Sequence, residues 1–284
     1  MEGWIFFKKK IEGPGWGSPA VDRLLEEAPK NGLSLKVVNP NNLDLIITRE
    51  NNRSVILDGK VEELPDFILT RCGSGTPYFT QAIIRHFERL GIPSFNSSTG
   101  IERVRDKLYT QQILAAQNLP MPKTMFVKFP VKVDLVEKYL GFPLIVKTIY
   151  GNKGSGVFLS ETKDSFMDLI QLIEATKPNV NIILQEYIKE SFGRDVRVFM
   201  VGGKVIGCME RSSKDGSFKA NFSRGGTVKP YKSNSKIDWL CRESVKALNL
   251  DIAGVDLLFD GDGFQICEVN ASPGMKGMEL ANPD

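Results

Sequence analysis

The stretch AGVDLLFDGDGFQICEVNASPG, residues 253–274, places two apolar runs on either side of the sequence Asp-Gly-Asp-Gly, which is typical of a tight β-hairpin turn. Side chains alternate between the two faces of a strand, so Glu268 and Asn270 should point the same way. With the turn centred near residues 261–263, Asp256 falls opposite Glu268 on the partner strand. The pattern therefore predicts a hairpin that gathers two carboxylates and an amide oxygen on one face.

Such a cluster of oxygen atoms suits a metal ion. Carboxylates gathered in a half-buried place are costly unless a positive charge lies between them. Mg²⁺ prefers oxygen ligands and leaves room for substrate phosphates. The alternative is an edge hairpin with ordinary surface acids, but the apolar flanking residues favour a metal. A calcium loop is excluded because the residues that follow lack the ligand spacing and the final glutamate.

A second motif, IVKTIYGNKGSGVFLS at residues 145–160, places Lys147 four residues ahead of a loop with three glycines. Glycine-rich phosphate loops usually open a helix, but here residues 157–159 read as the return strand of a hairpin. Neither a P-loop nor a dinucleotide fingerprint fits this arrangement. By itself the motif indicates only a flexible hairpin tip.

The segment MERSSKDGSFKANFSRGG, residues 209–226, reads as a basic loop, and its cationic side chains are Arg211, Lys214, Lys219 and Arg224. Arginine can fork onto carboxylate or phosphate oxygens, although a solvated basic loop explains this segment equally well when it is taken alone. Together with Lys107 and Lys147, it gives three basic features in a chain that also carries a metal-type hairpin. That combination favours a polyphosphate ligand.

Composition excludes several classes of protein. The 284 residues carry a formal net charge of +3, which is too mild to indicate nucleic acid as a partner. Apolar runs stay short of the ~20 residues of a membrane helix, and the N-terminus lacks a signal-peptide pattern, so no membrane partner is expected. Four scattered cysteines predict reduced, mostly buried thiols in a cytoplasmic protein. The single histidine, His86, is expected at a solvated helix position, which disfavours a Ser–His or Cys–His mechanism.

Strand-like and helix-like runs alternate over residues 1–100, which predicts a parallel α/β domain. The segment SSTGIERVRDKLYTQQILAAQNLP, residues 97–120, reads as one long amphipathic helix. Beyond it, short β runs with interspersed helices predict an α+β arrangement of two small lobes. We place the central lobe with the glycine-rich hairpin at 101–183 and the C-terminal lobe with the metal site at 184–284.

The chain resembles the ATP-grasp ligases, and within them the RimK-like amino-acid ligases, over nearly its whole length. Four stretches stand in the family's order: RDKLYTQQILAAQNLPMPKT, PLIVKTIYGNKGSGVFL, QEYIKESFGRDVRVFMVGGKVIGCMERSSKDGSFKANFSRGG and DIAGVDLLF…CEVNASPGMKGME. The resemblance implies an α/β pre-ATP-grasp domain followed by an α+β ATP-grasp fold, whose two lobes grip ATP. The glycine-rich hairpin would then be a lid over the ATP phosphates.

The resemblance also implies roles for individual residues. The implied ATP-binding residues are Lys107, Lys147, Gly151, Gly154, Ser155, Gly156, Glu186, Tyr187, Ile188, Asp195, Lys219 and Asn221. The implied catalytic residues are Arg224, Lys147 and Arg197. Mg²⁺ or Mn²⁺ would be bound by Asp256, Glu268 and Asn270. Without the resemblance, Lys107 reads as a solvated helix lysine, and Asp195 with Arg197 reads as a surface pair on a strand.

The implied reaction is ATP-dependent amide formation. A substrate carboxylate would take the γ-phosphate of ATP, and an amine, often that of glutamate, would displace phosphate from the acyl-phosphate. The acceptor would be a peptide or a small molecule, and the family allows a homo-oligomer. Arg71 is as reasonable a contact for the acceptor carboxylate as it is a solvent-facing residue at a strand end. Two alternatives stay open: a catalytically silent ATP-binding regulatory or scaffold protein, and another branch such as a D-alanine or glutathione-type ligase.

Overall fold

The structure is a computed structural model that describes residues 1–8, 18–49, 55–73, 76–151, 155–177, 179–214, 216–220 and 225–283. The described residues form four sheets, and the three larger ones, each with its helices, follow one another along the chain. The predicted boundary after residue 100 falls inside a helix, and the one after residue 183 falls inside a strand. The division into three domains therefore stays a prediction.

The N-terminal unit is built around a parallel sheet with the strand order β2-β1-β6-β7. Its elements are β1 (Glu2–Phe6), α1 (Pro19–Glu27), β2 (Ser34–Val38), β3 (Leu43–Leu45), β4 (Val55–Leu57), β5 (Lys60–Val61), β6 (Phe67–Thr70), α2 (Tyr78–Arg89) and β7 (Ser94–Phe95). The strands β3, β4 and β5 form a small separate antiparallel sheet. Helix α2 packs Phe87 against Trp4 and Phe6 of β1, so apolar burial joins helix and sheet, as predicted for an α/β domain.

The segment 97–120 forms two helices, α3 (Ser98–Arg105) and α4 (Lys107–Ala116), so the prediction of one long helix is wrong. Between them, Asp106 has an extended backbone with φ −97° and ψ 113°. Its side chain accepts a hydrogen bond from the Tyr109 N–H at 3.0 Å. Aspartate is a strong N-cap, and this cap starts a new helix whose first residue is Lys107.

The central lobe is an antiparallel sheet with the order β10-β9-β11-β8. Its elements are β8 (Thr124–Val127), α5 (Val133–Tyr139), β9 (Leu144–Thr148), β10 (Val157–Ser160), α6 (Lys163–Thr176) and β11 (Ile182–Glu186). Helix α6 begins with a capping box between Thr162 and Ser165, and its residues Phe166 and Ile170 are buried against the sheet.

The C-terminal lobe is a five-stranded antiparallel sheet with the order β14-β13-β12-β15-β16. Its elements are β12 (Arg194–Val201), β13 (Lys204–Ser212), β14 (Thr227–Pro230), α7 (Ser235–Leu248), β15 (Ile252–Asp260), β16 (Gly263–Asn270) and α8 (Lys276–Ala281). Helix α7 presents an apolar face to this sheet, and Leu240, Cys241 and Val245 belong to the resulting core.

Asn96, at the end of β7, ties the N-terminal unit to the C-terminal lobe. Its buried amide nitrogen donates to the carbonyls of Ile252 and Ala271, both at 2.7 Å. Its amide oxygen accepts from the N–H groups of Asp251 and Ile252 at 2.6 and 2.8 Å. The carboxyl end of the parallel sheet is therefore held against the chain segments that flank β15 and β16.

His86 lies on α2 as predicted, but it is only 4% exposed, so the expected solvated position is wrong. Burial lowers the pKa of His86, and the nearby Arg89 adds to this effect. All four cysteines are free thiols, in agreement with the prediction; two are buried and two half-buried. Within the described ranges, none of the helices combines the length and apolar character needed to cross a bilayer.

Candidate active site

A cavity of about 420 Å³ opens where the central lobe, the C-terminal lobe and the N-terminal unit meet. Cationic side chains outnumber carboxylates among its described lining residues. The cations are Arg105, Lys107, Lys147, Arg194, Arg197, Arg211, Lys219 and Lys276, and the carboxylates are Glu186, Asp195, Asp256 and Glu268. This excess of positive charge suits an anionic ligand such as a polyphosphate.

The strands β9 and β10 form the hairpin predicted around the glycine-rich loop, which we call the lid hairpin (residues 147–157). Lys147 stands on β9, and Gly151 and Ser155 line the cavity. Gly156 has a φ of +71°, and a Cβ at this position would collide with the side chain of Thr148. Only glycine tolerates both conditions, so the backbone that leads into β10 requires glycine at this position.

Lys107 and Lys147 approach the cavity from different elements. Lys107 Nζ donates to the Gly151 carbonyl at 3.0 Å and lies 3.5 Å from a carboxylate oxygen of Glu268. Lys147 Nζ lies 3.7 Å from Cys267 Sγ on β16. Both ammonium groups therefore stand between the lid hairpin and the β15–β16 hairpin.

The segment that leaves β11 forms another wall of the cavity. Glu186, Tyr187 and Ile188 all line it. The Glu186 N–H donates to the Lys123 carbonyl at 2.9 Å, and the Lys123 N–H donates to the Glu186 carboxylate at 3.2 Å. Since this segment connects the central lobe to the C-terminal lobe, the predicted hinge residues lie where the two lobes meet.

The β15–β16 hairpin brings the predicted residues opposite each other, and a β-bulge between Asp256 and Leu257 shifts the register on the turn side of this pairing. Asp256 pairs with Glu268 and Gly254 pairs with Asn270, so this prediction is confirmed. The three predicted oxygen ligands all line the cavity. Asp256 is 5% exposed, whereas the Glu268 side chain is 34% exposed. One ligand is therefore buried in the sheet, and another stands at the cavity surface.

Asp256 belongs to a row of four charged side chains that we call the buried ion chain: Arg197, Asp256, Arg211 and Asp195. Arg197 Nε and Nη2 donate to the two oxygens of Asp256 at 2.6 and 2.7 Å. Arg211 Nη2 lies 3.0 Å from Asp256 Oδ2, and Arg211 also donates to both oxygens of Asp195 at 2.6 and 2.7 Å. Burial would raise the pKa of Asp256, but the two guanidinium groups that face it hold this pKa below its usual value. At Asp195, burial raises the pKa despite Arg211.

Arg211 is the residue of this site that the sequence interpretation misplaced. We expected it in a basic loop, but it lies on β13, where it is 3% exposed and pairs in register with Asp195. Asp195 and Arg197 are likewise not a surface pair with each other, because each pairs with a residue on a neighbouring strand. The alternation of acidic and basic residues along β12 could have indicated charged partners on the neighbouring strands. It does not identify which strands those are.

Lys219 lines the cavity, and its Nζ lies 5.7 Å and 5.3 Å from the ring centres of Phe158 and Phe218. The remaining predicted residues lie outside the described ranges, and they are Gly154, Asn221 and Arg224. Their roles stay predictions.

The predicted metal ligands fit a hard cation. Groups of three or more His, Cys, Asp or Glu side chains placed to hold a metal are absent from the part of the chain that the structure describes. The predicted set has two carboxylates and one amide, and these oxygen donors suit Mg²⁺ or Mn²⁺. Asp256 Oδ1 accepts one hydrogen bond from Arg197, and Glu268 faces the cavity, so both keep lone pairs for a cation.

Two family matches cover most of the chain. Residues 104–282 match the RimK-like ATP-grasp domain, and residues 18–101 match the RimK PreATP-grasp domain. "Probable alpha-L-glutamate ligase 2" of Shewanella sp. (strain MR-4) is 37% identical over 262 residues, which cover 91% of this chain and 86% of that protein. Most of the chain is therefore covered both by the RimK family models and by relatives named alpha-L-glutamate ligase.

Solved structures share the fold. The ATP-grasp ligase PsnB complexed with minimal precursor has a TM-score of 0.74 at 18% identity, covering 98% of this chain and 92% of PsnB. The RimK domain protein ATP-grasp from Sphaerobacter thermophilus DSM 20745 has the same TM-score at 15% identity, covering 99% and 97%. These likenesses confirm the predicted architecture. The chain belongs to the RimK-like ATP-grasp family and is an ATP-dependent ligase that forms carbon–nitrogen bonds.

Proposed function

We propose that the chain joins glutamate, through its amine, to the carboxylate of a peptide or small-molecule acceptor, with ATP and Mg²⁺ or Mn²⁺. Relatives named as alpha-L-glutamate ligases support glutamate as the amine donor. The observation that carries the proposal is the cavity itself. In it, cationic groups of α4 and the lid hairpin face the oxygen ligands of the β15–β16 hairpin, with Lys107 Nζ 3.5 Å from Glu268.

The reaction would proceed in two steps. A carboxylate resists an amine because oxide or hydroxide is a poor leaving group, and phosphorylation removes this obstacle. An oxygen of the acceptor carboxylate attacks the γ-phosphorus of ATP, the bond from that phosphorus to the bridging oxygen breaks, and ADP leaves. The amine of glutamate then attacks the acyl carbon, inorganic phosphate leaves, and the amine loses its proton. The product is an amide.

The phosphoryl step requires positioning and charge neutralisation more than covalent help from side chains. Lys107 and Lys147 would hold phosphate oxygens, and Arg197 would hold Asp256 in place through its two hydrogen bonds. A bound Mg²⁺ would neutralise charge on the transferring group. Its ligands would be Asp256, Glu268 and Asn270.

The remaining proposed contacts serve the nucleotide and the labile intermediate. Residues 186–188 would contact the adenine through backbone groups, and Asp195, Lys219 and Asn221 would lie near the ribose and phosphates. The lid hairpin, with Gly151, Gly154, Ser155 and Gly156, would cover the phosphates and keep water from the acyl-phosphate. The proposed role of Arg224 near the transferring group rests on the family resemblance.

Neither the described geometry nor the relatives support the alternative of a catalytically silent regulatory protein. The match to the RimK-like domain also disfavours a D-alanine or glutathione-type branch. A homo-oligomer and a cytoplasmic location stay predictions, and light scattering tests the first of them.

The test is ADP release measured across a panel of amino acids and carboxylate acceptors, with product masses determined by mass spectrometry. We expect release that depends on glutamate and a product equal in mass to acceptor plus glutamate minus water. Glu268→Ala should abolish it, whereas Glu279→Ala, on the exposed face of α8, should not. ADP release without an amide product, or without dependence on an amine, would contradict the proposal.

A further inference from the structure

The carboxyl ends of the parallel strands β1 and β6 lie at the N-terminal side of the cavity. From β1 the sheet continues to β2 on one side, and from β6 it continues to β7 on the other. Their junction is therefore a topological switch point, and open parallel sheets bind ligands in the crevice at such points. Arg71 directly follows β6, and Gly73, two residues further on, lines the cavity.

Arg71 is a buried arginine that forms no ion pair with a carboxylate in the described part of the chain. It is 9% exposed, and its Nη2 donates to the Pro273 carbonyl at 2.6 Å. Its Nη1 is buried and makes no hydrogen bond to the described residues. Pro273 and Gly73 line the cavity and Arg71 does not, so the guanidinium lies directly behind the cavity wall.

Among the residues that the structure describes, no carboxylate compensates the charge of Arg71. Burial lowers the pKa of Arg71 to about 10, so the side chain still carries its charge at neutral pH. A buried charge is costly unless an opposite charge pairs with it. A carboxylate ligand would supply that charge, and the two Nη groups of an arginine suit a carboxylate geometrically.

Further cationic side chains lie near Cys72 and along the cavity wall. Lys8, at the end of β1, lies within electrostatic reach of both Cys72 and Arg105. Arg105 and Lys276 line the cavity and form no ion pair with any described residue. The carboxylates that line the cavity are already engaged: Asp195, Asp256 and Glu268 each pair with a lysine or arginine, and Glu186 accepts a hydrogen bond from the Lys123 N–H.

We propose that Arg71 anchors a carboxylate subsite at the switch point between β1 and β6, and that this subsite binds a carboxylate group that does not react. The inference rests on the proposed function and names a recognition element for its substrates. Glutamate keeps two free carboxylates when its amine reacts, and a peptide acceptor with an acidic last residue keeps one. Either substrate can supply the group.

The test compares Arg71→Met and Arg71→Lys with Arg103→Met. Arg103 is a matched control because its Nη1 also donates to a backbone carbonyl, that of Ala247 at 3.1 Å. It also has a buried nitrogen without a partner among the described residues. Its carbonyl partner, Ala247, does not line the cavity, whereas that of Arg71, Pro273, does. Kinetics are measured with L-glutamate and a short peptide that ends in glutamate.

We expect Arg71→Met to raise the KM for one of the two substrates by about 10- to 100-fold, as for loss of a charge-assisted pair. The KM for ATP should change less than about twofold, and Arg103→Met should leave all three KM values near those of the wild type. Arg71→Lys keeps the positive charge but lacks the paired N–H donors of the guanidinium, so its increase in KM should be intermediate. It also preserves the test if Arg71→Met fails to fold.

Amide analogues identify the source of the carboxylate. Wild-type protein should prefer glutamate over glutamine or isoglutamine, or a peptide ending in glutamate over one ending in glutamine. Arg71→Met should lose that preference, which a merely structural residue would leave intact. Unchanged KM values and an unchanged preference for the carboxylate over the amide in active Arg71 variants would overturn the proposed subsite but not the proposed function. A wild-type protein that forms no glutamate amide would overturn the proposed function with it.

Discussion

Replacing Arg211 with methionine should destabilise the protein because it leaves a buried carboxylate without its cation. Arg211 is 3% exposed and donates to both oxygens of Asp195 at 2.6 and 2.7 Å. Methionine occupies a similar buried space but donates no hydrogen bond. Asp256 would keep the two hydrogen bonds from Arg197, so the loss falls mainly on Asp195.

The size of the effect follows from the cost of breaking a buried ion pair, about 3–5 kcal/mol when one partner is removed. The free energy of unfolding of a whole protein is only about 5–15 kcal/mol. For a chain of this size, 1 kcal/mol shifts the melting temperature by about 2–4 °C. The melting temperature of Arg211→Met should therefore fall by about 6–20 °C at pH 7.

The same variant should show a characteristic pH dependence. Burial already raises the pKa of Asp195, and removal of Arg211 would raise it further. A carboxyl whose pKa is higher in the folded state than in the unfolded state favours folding once it is protonated. The stability gap between wild type and Arg211→Met should therefore narrow as the pH falls from 7 to 5.

Thermal and urea unfolding of a double-mutant cycle test this reasoning. Asp195→Asn with Arg211→Met removes both charges and should recover part of the loss, since Asp256 keeps Arg197. Arg242→Met is the surface control, because Arg242 is 58% exposed and lies 3.6 Å from Glu243. Such a pair contributes about 0–1 kcal/mol. If Arg211→Met melted as high as Arg242→Met, the buried ion chain would have no structural importance.

The remaining predictions concern single side chains. Glu268→Gln should abolish amide formation but lower the melting temperature by less than about 4 °C. The small effect on stability follows because its partly exposed pair with Lys107 contributes about 1 kcal/mol or less, and activity and calorimetry on one sample check both effects. Gly156→Ala should weaken ATP binding about 5- to 30-fold, since alanine is strained at this φ and collides with Thr148. Gly202→Ala is the control, because Gly202 also has a positive φ, +55°, but has open space around it. Isothermal calorimetry should show unchanged ATP binding for this variant. Because burial lowers the pKa of His86, the unfolded chain binds a proton there more tightly, and stability should fall as the pH drops below about 6.5. His86→Phe should lose that dependence in urea titrations between pH 7.5 and 5.5, as no second histidine is present.

The β15–β16 hairpin could be predicted because a short turn brings two consecutive strands together. The Asp-Gly-Asp-Gly turn and strand alternation placed Asp256 roughly opposite Glu268, but they did not predict the β-bulge between Asp256 and Leu257 through which the strands reach this pairing. The ion chain could not be predicted in this way. Arg197 meets Asp256 across β12 and β15, which are separated by two further strands and helix α7 in the sequence. Local patterns do not specify such distant pairing.

The prediction of one long helix from apolar periodicity was wrong at Asp106 for a related reason. The apolar pattern continues across residues 97–120, so the period does not detect a break. The break depends on the backbone angles of one residue and on its hydrogen bond to the Tyr109 N–H. It matters for the site because it makes Lys107 the first residue of α4, with its N–H bonded to the Ile149 carbonyl and its Nζ bonded to the Gly151 carbonyl.

Both carboxylates of the predicted metal site already pair with cationic side chains, and this pairing determines what ligand binding requires. Lys107 lies beside Glu268, and Arg197 holds Asp256. A metal ion that approached alone would have to share these carboxylates with their cations, and a phosphate that approached alone would compete with the carboxylates for the same cations. When the metal and the phosphate bind together, the carboxylates can bind the metal and the cationic side chains can bind the phosphates. Each buried charge then keeps a partner of opposite sign. The proposed reaction therefore needs these side chains to exchange ionic partners while the paired strands stay in place. Arg71, by contrast, pairs with no carboxylate among the described residues, so a substrate carboxylate would displace none.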